Sequence, residues 1–213
     1  MSQSKRFADY DPDGKQRRAM AFALRAACDD DQEDLALISW ERLGGDLEKF
    51  RAGTKRKLSL PPEKLMMFVA YATGSGAESE KLLGFGSAEW LEWSLDRRLT
   101  VAASTENAPA ADVESDRKAA PHVPASWYLT GVVVRSHARR AGIGRALTEA
   151  RIREWRAQPA DVAGDALRFV VNARNGPSID LHRELGFEVE AGDFWMPGVT
   201  FTGGEGFLFR LAR

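Results

Sequence analysis

The sequence has few of the residues that bind metals or form cross-links. Its 213 residues include one cysteine, Cys28, and three widely spaced histidines, His122, His137 and His182. A single cysteine excludes an internal disulfide framework and a thiolate-rich zinc site. The histidine spacing offers no constellation of metal ligands. We therefore expect no metal cofactor.

Long apolar runs are also absent. No run approaches the roughly 20 apolar residues that span a bilayer, and the N-terminal residues lack the apolar stretch of a secretory signal. With 30 Lys+Arg against 31 Asp+Glu, the formal net charge is −1. This balance argues against nucleic acid as the main partner, because nucleic-acid binding needs a basic surface. We expect a cytoplasmic protein with no membrane partner.

The composition is that of a chain that buries a core, with 44% hydrophobic and 29% charged residues. Residues 1–18 show no hydrophobic period and are predicted to form a flexible arm. This leaves 19–213 as one domain. Within it, the segment of about 96–124 is rich in Ala, Pro, Ser, Thr and charge, which predicts a mobile loop.

The rest of the chain alternates apolar strand-like runs with helical periods. A Gly-rich turn between two of the runs predicts a β-hairpin. The order of elements predicts an α/β fold with a right-handed crossover. The predicted strands are 20–26, 65–72, 81–90, 127–134, 166–172, 187–190 and 206–211. The predicted helices are 29–43, 46–52, 144–156 and 177–185.

The most informative stretch is VVVRSHARRAGIGRA, residues 132–146, in which a strand leads through a turn into a helix. Gly142 and Gly144 let the backbone approach a ligand closely, and the unpaired N–H groups of a helix start favour an anion. We interpret the turn as a phosphate or pyrophosphate cradle. The alternative is a glycine helix start with solvated arginines. The arginines are Arg135, Arg139, Arg140 and Arg145.

Two other phosphate-binding motifs do not fit this stretch. A Walker A loop requires Lys and then Ser or Thr after its last glycine, and Arg145 and Ala146 follow Gly144. A Rossmann fingerprint requires a third glycine and a later acidic partner, and this stretch lacks the third glycine. What remains is Arg-x-x-Gly-x-Gly directly after a strand, beginning at Arg139.

This spacing resembles the Q/R-x-x-G-x-G/A signature of the GNAT superfamily, the N-acetyltransferases that use acetyl-coenzyme A. A second block, 175–187, resembles the family's N-x-x-A-x-x-L-Y-x-x-L-G-F segment at every offset, with Ser178 replacing Ala and His182 replacing Tyr. The motif resemblance covers residues 127–187, and residues 20–92 agree only by pattern. It implies the GNAT fold, a mixed and mostly antiparallel sheet flanked by helices.

The resemblance also implies roles for residues of both blocks. The strand would separate from its neighbour near Val134 and offer backbone groups to the pantetheine arm, while the amides of about 140–145 would bind the pyrophosphate. Arg135 is either part of this site or a solvated turn residue, and Asn175 either contacts the cofactor or satisfies the helix entry. The implied cofactor-binding residues are Val132, Val133, Val134, Arg139, Arg140, Ala141, Gly142, Ile143, Gly144, Arg145 and Asn175.

His182 occupies the position where the family usually has tyrosine. Acetyl transfer to an amine needs a neutral amine, a polarised thioester carbonyl and a proton for the leaving thiolate. An imidazole, which titrates near 6.5, can donate that proton or shuttle protons, so His182 is the candidate catalytic residue. The alternative is a helix histidine packed beside the sulfur end of the cofactor. Direct transfer needs no nucleophile, so Cys28 is predicted to be a small buried hydrophobe.

The general base is not defined by the sequence, because neither strand 127–134 nor strand 166–172 carries a suitable carboxylate. Aromatic residues and carboxylates before the last strand suit an amine, so Trp195 and Glu205 are predicted to bind the acceptor. The alternative is a loop that packs its aromatic side chains onto the core. The candidate bases are Glu89, Glu92, Asp193 and Glu205.

The predicted function is transfer of an acetyl group from acetyl-coenzyme A to a primary amine, by direct attack in a ternary complex. The amine of a small molecule is the expected acceptor. A protein N-terminus or lysine is the alternative acceptor. The alternative of another class is a sensor or scaffold that holds coenzyme A without turnover. Dimers are common in the family, so the resemblance also implies a homodimer.

Overall fold

The computed structural model describes residues 19–74, 81–92, 125–192 and 205–213. The predicted arm, the predicted mobile loop and the aromatic loop with Trp195 lie outside these residues. The described strands are β1 (Phe22–Ala26), β2 (Leu65–Ala72), β3 (Leu82–Leu91), β4 (Ser126–Val134), β5 (Ala166–Asn172), β6 (Glu188–Ala191) and β7 (Gly206–Ala212). The described α-helices are α1 (Gln32–Leu43), α2 (Leu47–Leu58), α3 (Ile143–Ala157), α4 (Ala160–Ala163) and α5 (Gly176–Glu184).

The seven strands form one sheet in the order β1-β2-β3-β4-β5-β7-β6. Every neighbouring pair is antiparallel except β4 and β5, which are parallel. The predicted α/β class with a mixed, mostly antiparallel sheet is therefore confirmed. The two halves of the sheet meet only at the parallel pair, so the geometry of β4 and β5 determines how the halves are joined.

The parallel strands separate soon after they pair. Their pairing covers Trp127 to Leu129 on β4 and Leu167 to Phe169 on β5. Beyond Leu129, β4 continues along β3 as far as Val134, whereas β5 continues along β7. The gap between them, from Thr130 on β4 and Val170 on β5 onward, is called the central cleft. It opens earlier in β4 than the predicted position near Val134.

A β-bulge explains the early opening. Leu129 pairs with Ala88, and Val132 pairs with Gly86, so Thr130 and Gly131 together oppose only Ser87. Gly131 has φ +122, a conformation that favours glycine. The extra residue bends β4 and changes which face the following side chains occupy. This bend carries β4 away from β5.

A buried arginine satisfies the carbonyl groups at this bulge. Arg151 of α3 is 1% exposed, and its Nη1 donates to the carbonyls of Ser87 at 2.8 Å and Gly131 at 3.3 Å. Its Nε and Nη2 donate to Leu147 O and Thr148 Oγ1. Burial lowers its pKa to about 9, so the guanidinium remains protonated at neutral pH. Arg151 thereby joins α3 to both strands at the bulge.

Two apolar cores hold helices against opposite faces of the sheet. On one face, Trp155 of α3 and Ile179 of α5 pack with Trp127, Leu167 and Phe209. On the other face, α1 packs against β2 through a second set of apolar side chains. That set includes Leu35, Ile38, Met67 and Val69. The central cleft therefore has a helical layer on each side.

Two local predictions were wrong. The second helix does not end at Ala52 but continues to Leu58, because Asp46 caps its first turn and basic residues in its last turn interact favourably with the helix dipole. Cys28 is exposed rather than buried. It lies at the start of a 3₁₀ turn, where its backbone N–H donates to Asp31 Oδ2 at 2.9 Å.

Replacing Arg151 with methionine should lower the free energy of unfolding by about 2–4 kcal/mol, because the carbonyls of Ser87 and Gly131 lose their buried donor. Arg153→Met, on the exposed side of the same helix, is the matched control and should change stability by no more than about 0.5 kcal/mol. Urea unfolding followed by circular dichroism measures both values. Equal effects of the two substitutions would show that the contact with the bulge contributes nothing.

Candidate functional site

The start of α3 faces the central cleft with unpaired backbone donors. Gly142 is the N-cap residue and has φ +86, which favours glycine. The Ala146 amide makes the first hydrogen bond of the helix, to the Gly142 carbonyl at 3.0 Å. The N–H groups of Ile143, Gly144 and Arg145 therefore precede the first intrahelical bond and are available to a ligand. Together with the positive end of the helix dipole, they fit a phosphate group.

The arginines of the predicted cradle differ in what they bind. Arg135 pairs with Glu41 of α1, with Nη1 and Oε1 2.5 Å apart, and Arg145 pairs with Glu184 of α5. Arg139 donates from Nε to the Val134 carbonyl at 3.3 Å. Arg139 and Arg140 form no ion pair within the part of the chain that the structure describes. The cradle therefore depends mainly on backbone groups, with these two cations beside them.

The backbone of β4 lines the central cleft next to this cradle. The Arg135 amide donates to the Leu83 carbonyl of β3 at 2.8 Å. Hydrogen bonding alternates along an antiparallel pair, so Val133 also directs its backbone groups to β3. Val132 and Val134 then direct theirs into the cleft. The bond from Arg139 to the Val134 carbonyl agrees with this orientation, and Val132 is left with a backbone N–H that faces the cleft.

Asn175 forms the N-cap of α5 at the other wall of the cleft. Its Oδ1 accepts a hydrogen bond from the Ser178 amide at 3.4 Å, so it satisfies the helix entry. The side-chain amide nitrogen has no partner among the described residues and remains available to a ligand. Both predicted roles of Asn175 are compatible with this geometry.

His182 of α5 is buried near the end of the cleft where β4 and β5 are still paired. Its ring stacks on Phe169, the last residue of β5 that pairs with β4, at a centroid distance of 3.7 Å. Its Nδ1 lies 2.7 Å from the Ser178 carbonyl, and because a carbonyl only accepts, Nδ1 carries the proton. Nε2 is buried and has no hydrogen-bond partner among the described residues.

The surroundings of His182 keep its ring neutral. Burial lowers its pKa from 6.5 to about 4, and the positive charge of Arg151 acts in the same direction. At neutral pH, Nε2 therefore presents a lone pair that can accept a proton or a hydrogen bond. Delivery of a proton from Nε2 would first require the imidazolium form.

A cluster of polar side chains lies at the cleft on the opposite face of the sheet, the face covered by α1 and α2. Glu89 Oε1 of β3 lies 2.6 Å from Lys57 Nζ of α2 and accepts a hydrogen bond from Thr130 Oγ1 at 2.6 Å. Thr130 Oγ1 also lies 3.0 Å from Ser87 Oγ. These four residues are called the polar cluster. Thr130 is the first residue of β4 beyond its pairing with β5, so the cluster lies where the sheet opens.

The other candidate bases lie in different surroundings. Glu92 is exposed and accepts a hydrogen bond from Trp90 Nε1 at 2.9 Å. Glu205 is exposed just before β7. Asp193 lies outside the described residues, as does Trp195. Of the candidates that the structure describes, Glu89 is the one bonded to a residue at the opening of the sheet.

Sequence reasoning missed Arg151, Lys57 and Thr130. Arg151 could have been found, because it lies four residues from both Leu147 and Trp155 and so falls on the apolar side of α3. Lys57 carried no such signal. It lies beyond residue 52, where the second helix was predicted to end.

Residues 19–74, 81–92, 125–192 and 205–213 were searched for metal-binding groups and for membrane-spanning helices. No group of three or more His, Cys, Asp or Glu among them could hold a metal ion. None of their helices combines the length and apolar character that crossing a membrane requires.

Acid should destabilise the protein through His182. An unfolded histidine takes up a proton near pH 6.5, whereas His182 in the native state does so only near pH 4, so stability is lost as pH falls across this window. His182→Phe keeps a ring against Phe169 and removes the titrating group. From pH 7 to pH 4, the free energy of unfolding of the wild type should fall by about 3 kcal/mol relative to that of the variant. Parallel urea-unfolding stabilities across this range would contradict the proposed cause.

Comparison with solved structures shows where this fold recurs. NAA60 of Arabidopsis thaliana in complex with acetyl-CoA has a TM-score of 0.59 and 18% identity, over 90% of this chain and 98% of its own. A GNAT-family acetyltransferase from Streptococcus pneumoniae has a TM-score of 0.55 and 15% identity, over 91% and 100%. The ribosomal-protein-S18-alanine N-acetyltransferase from Escherichia coli has a TM-score of 0.51 and 18% identity, over 90% and 93%. At these identities the likeness shows a shared fold.

Sequence comparison identifies the family. No curated protein matches the chain at a significant level. The model of the acetyltransferase (GNAT) family matches residues 38–187, which include the cradle, the parallel strand pair and His182. The match spans most of the chain, and it shows that this protein belongs to the GNAT family of acetyltransferases.

Proposed function

We propose that this protein transfers an acetyl group from acetyl-coenzyme A to a primary amine, by direct attack in a ternary complex. The observation that carries the proposal is that two sets of backbone groups lie along one side of the central cleft. One set is the amides at the start of α3, which make no intrahelical hydrogen bond, and the other is the groups of β4 that do not bond to β3. The solved structure of NAA60 from Arabidopsis thaliana holds acetyl-CoA on the same fold.

The residues of the cradle fit the phosphate end of the cofactor. The amides of 140–145 would bind the pyrophosphate, and Arg139 and Arg140 would add charge beside it. The backbone of Val132 and Val134 would bond to the amide groups of the pantetheine arm. Asn175 would contact the cofactor from the other wall through its free amide nitrogen.

When bound, acetyl-coenzyme A supplies an acetyl thioester whose carbonyl can be attacked by an amine. The cleft-facing N–H of Val132 is placed to stabilise the negative charge that develops on the carbonyl oxygen. His182 would act from the closed end of the cleft. Its neutral ring suits an acceptor role at Nε2 toward a donor group of the cofactor or a bound water.

Glu89 supports a role in preparing the acceptor. An alkyl ammonium titrates near 10.4, so it must lose a proton before it attacks. Glu89 already binds an ammonium group, that of Lys57, and Thr130 orients its carboxylate. An acceptor that replaced Lys57 would find the same carboxylate in position to take its proton.

Two lines of support favour different classes of acceptor. The aromatic segment that contains Trp195, with Glu205 after it, favours the amine of a small molecule. Two structural neighbours favour a peptide or protein amine instead, one being the ribosomal-protein-S18-alanine N-acetyltransferase and the other a NatC complex bound to Gag peptide and CoA. We propose the small-molecule amine and keep the protein amine as the second candidate.

Gly142→Asp should weaken acetyl-coenzyme A binding by at least about 100-fold, because a carboxylate at the N-cap repels the pyrophosphate. Isothermal titration calorimetry measures the affinity. Gly45→Asp is the control, because Gly45 also has a positive φ, +91, and open space around a new Cβ, but it lies just after the end of α1. Undiminished binding by Gly142→Asp would refute the placement of the cradle.

Glu89→Gln should lower kcat by about 10²-fold or more, because the amide cannot accept the proton of the amine. The exposed Glu92→Gln on the same hairpin is the control and should retain wild-type turnover. Thiol release from acetyl-coenzyme A is measured with the most reactive amine from a panel of small amines and short peptides. Equal turnover by the two variants would remove Glu89 from the mechanism. Tight cofactor binding without amine-stimulated thiol release would favour a non-catalytic binding module.

A further inference from the structure

Lys57 presents a primary amine at the point where the sheet opens. Its Nζ lies 2.6 Å from Glu89 Oε1 and 3.4 Å from Thr130 Oγ1. The side chain is 24% exposed and its partner Glu89 is 19% exposed. The ammonium group is therefore held against the sheet and is not free in solvent.

The position of α2 fixes where this amine lies. Lys57 is in the last turn of α2, whose neighbouring Leu58 packs into the core beneath α1. Asp46 caps the other end of the helix by accepting a hydrogen bond from the Glu48 amide at 2.9 Å. The amine thus reaches the cleft from a helix that is anchored at both ends.

Lys57 is close to the backbone group that would polarise the thioester. Thr130, which contacts Nζ, is separated from Val132 by the single bulge residue Gly131. A lysine side chain has four rotatable carbon–carbon bonds, so a change of rotamer can move Nζ from Thr130 toward the neighbouring backbone. Glu89, the proposed base, lies on the same face of the sheet as Lys57.

We propose that Lys57 is an acetyl acceptor for the active site of its own chain. In the reaction, Glu89 removes a proton from the Lys57 ammonium, and the Nζ lone pair attacks the carbonyl carbon of a bound acetyl thioester. A bond forms between Nζ and the acetyl carbon as the carbon–sulfur bond breaks. The electron pair of that bond leaves on sulfur, and the thiolate takes up a proton to give the free thiol. The proposal rests on the proposed acetyltransferase function.

Acetylation of Lys57 would change the acceptor side of the site. The amide that forms has no charge, so the ion pair with Glu89 is lost. The carboxylate would then face the cleft without its internal cation and would be free to bind the ammonium group of another acceptor. Self-acetylation would thus convert an occupied carboxylate into an available one.

One proteolytic peptide can test the proposal. The full-length protein is incubated with acetyl-coenzyme A alone and cleaved after glutamate, which releases residues 49–63 with both Lys55 and Lys57. Lys55 is exposed on the same helix and reports chemical acetylation by the thioester. Fragment masses should show acetyl on Lys57 over Lys55 by at least about tenfold, because a positioned amine reacts at a high effective concentration.

Variants connect the modification to the site. Lys57→Arg keeps a cation beside Glu89 and should abolish the stoichiometric thiol release seen without added amine, whereas Lys55→Arg should retain it. Glu89→Gln and Gly142→Asp should each lower the acetylation of Lys57 without lowering that of Lys55.

Three results would overturn the inference. Equal acetylation of Lys55 and Lys57, or an unmodified Lys57 in a protein that releases thiol with an added amine, would reject self-acetylation and leave the proposed function standing. A protein that neither binds acetyl-coenzyme A by calorimetry nor releases thiol with any amine would overturn the proposed function and this inference together.

Discussion

The contact between Arg151 and the carbonyls of the β4 bulge is the interaction on which the site depends. A bulge leaves backbone groups without partners in the strand ladder, and a buried carbonyl such as that of Ser87 is costly without a donor. Arg151 of α3 donates hydrogen bonds to these carbonyls, and all its partners among the described residues are uncharged oxygens. The same contact fixes the helix whose first turn forms the cradle. Opening of the sheet and placement of the cradle are therefore coupled through one side chain.

The two faces of the central cleft use different chemistry. On the face of α3, the groups proposed to bind the ligand are mostly backbone amides and carbonyls, and two nearby arginines, Arg135 and Arg145, are paired with acids of α1 and α5. On the face of α2, the polar cluster presents ionised side chains, Lys57 and Glu89. A bulge that turns Thr130 to one face and Val132 to the other separates these two environments within three residues of β4.

Much of the fold and of the cradle could be predicted from the sequence, because each depends on local signals. Strand composition, helix periodicity and the Arg139, Gly142 and Gly144 spacing act over short stretches of chain. The polar cluster could not be predicted, since Lys57 and Thr130 are 73 residues apart and meet only when α2 packs across the sheet. The bulge was missed as well, because the separation of β4 from β5 depends on pairing register and on a buried contact with α3. The tautomer of His182 likewise follows from Ser178 and from burial, which only the folded chain shows.

The reliance of the cradle on main-chain groups has a consequence for how such a protein changes over evolutionary time. Backbone amides are present whatever the side chain, so the site requires a conformation at Gly142 more than it requires particular residues around it. Three solved structures that share this fold are 15–18% identical to the chain. Because the cradle is specified by backbone conformation, it tolerates many sequence changes. The polar cluster is made of side chains, so single substitutions there can change which acceptor is bound.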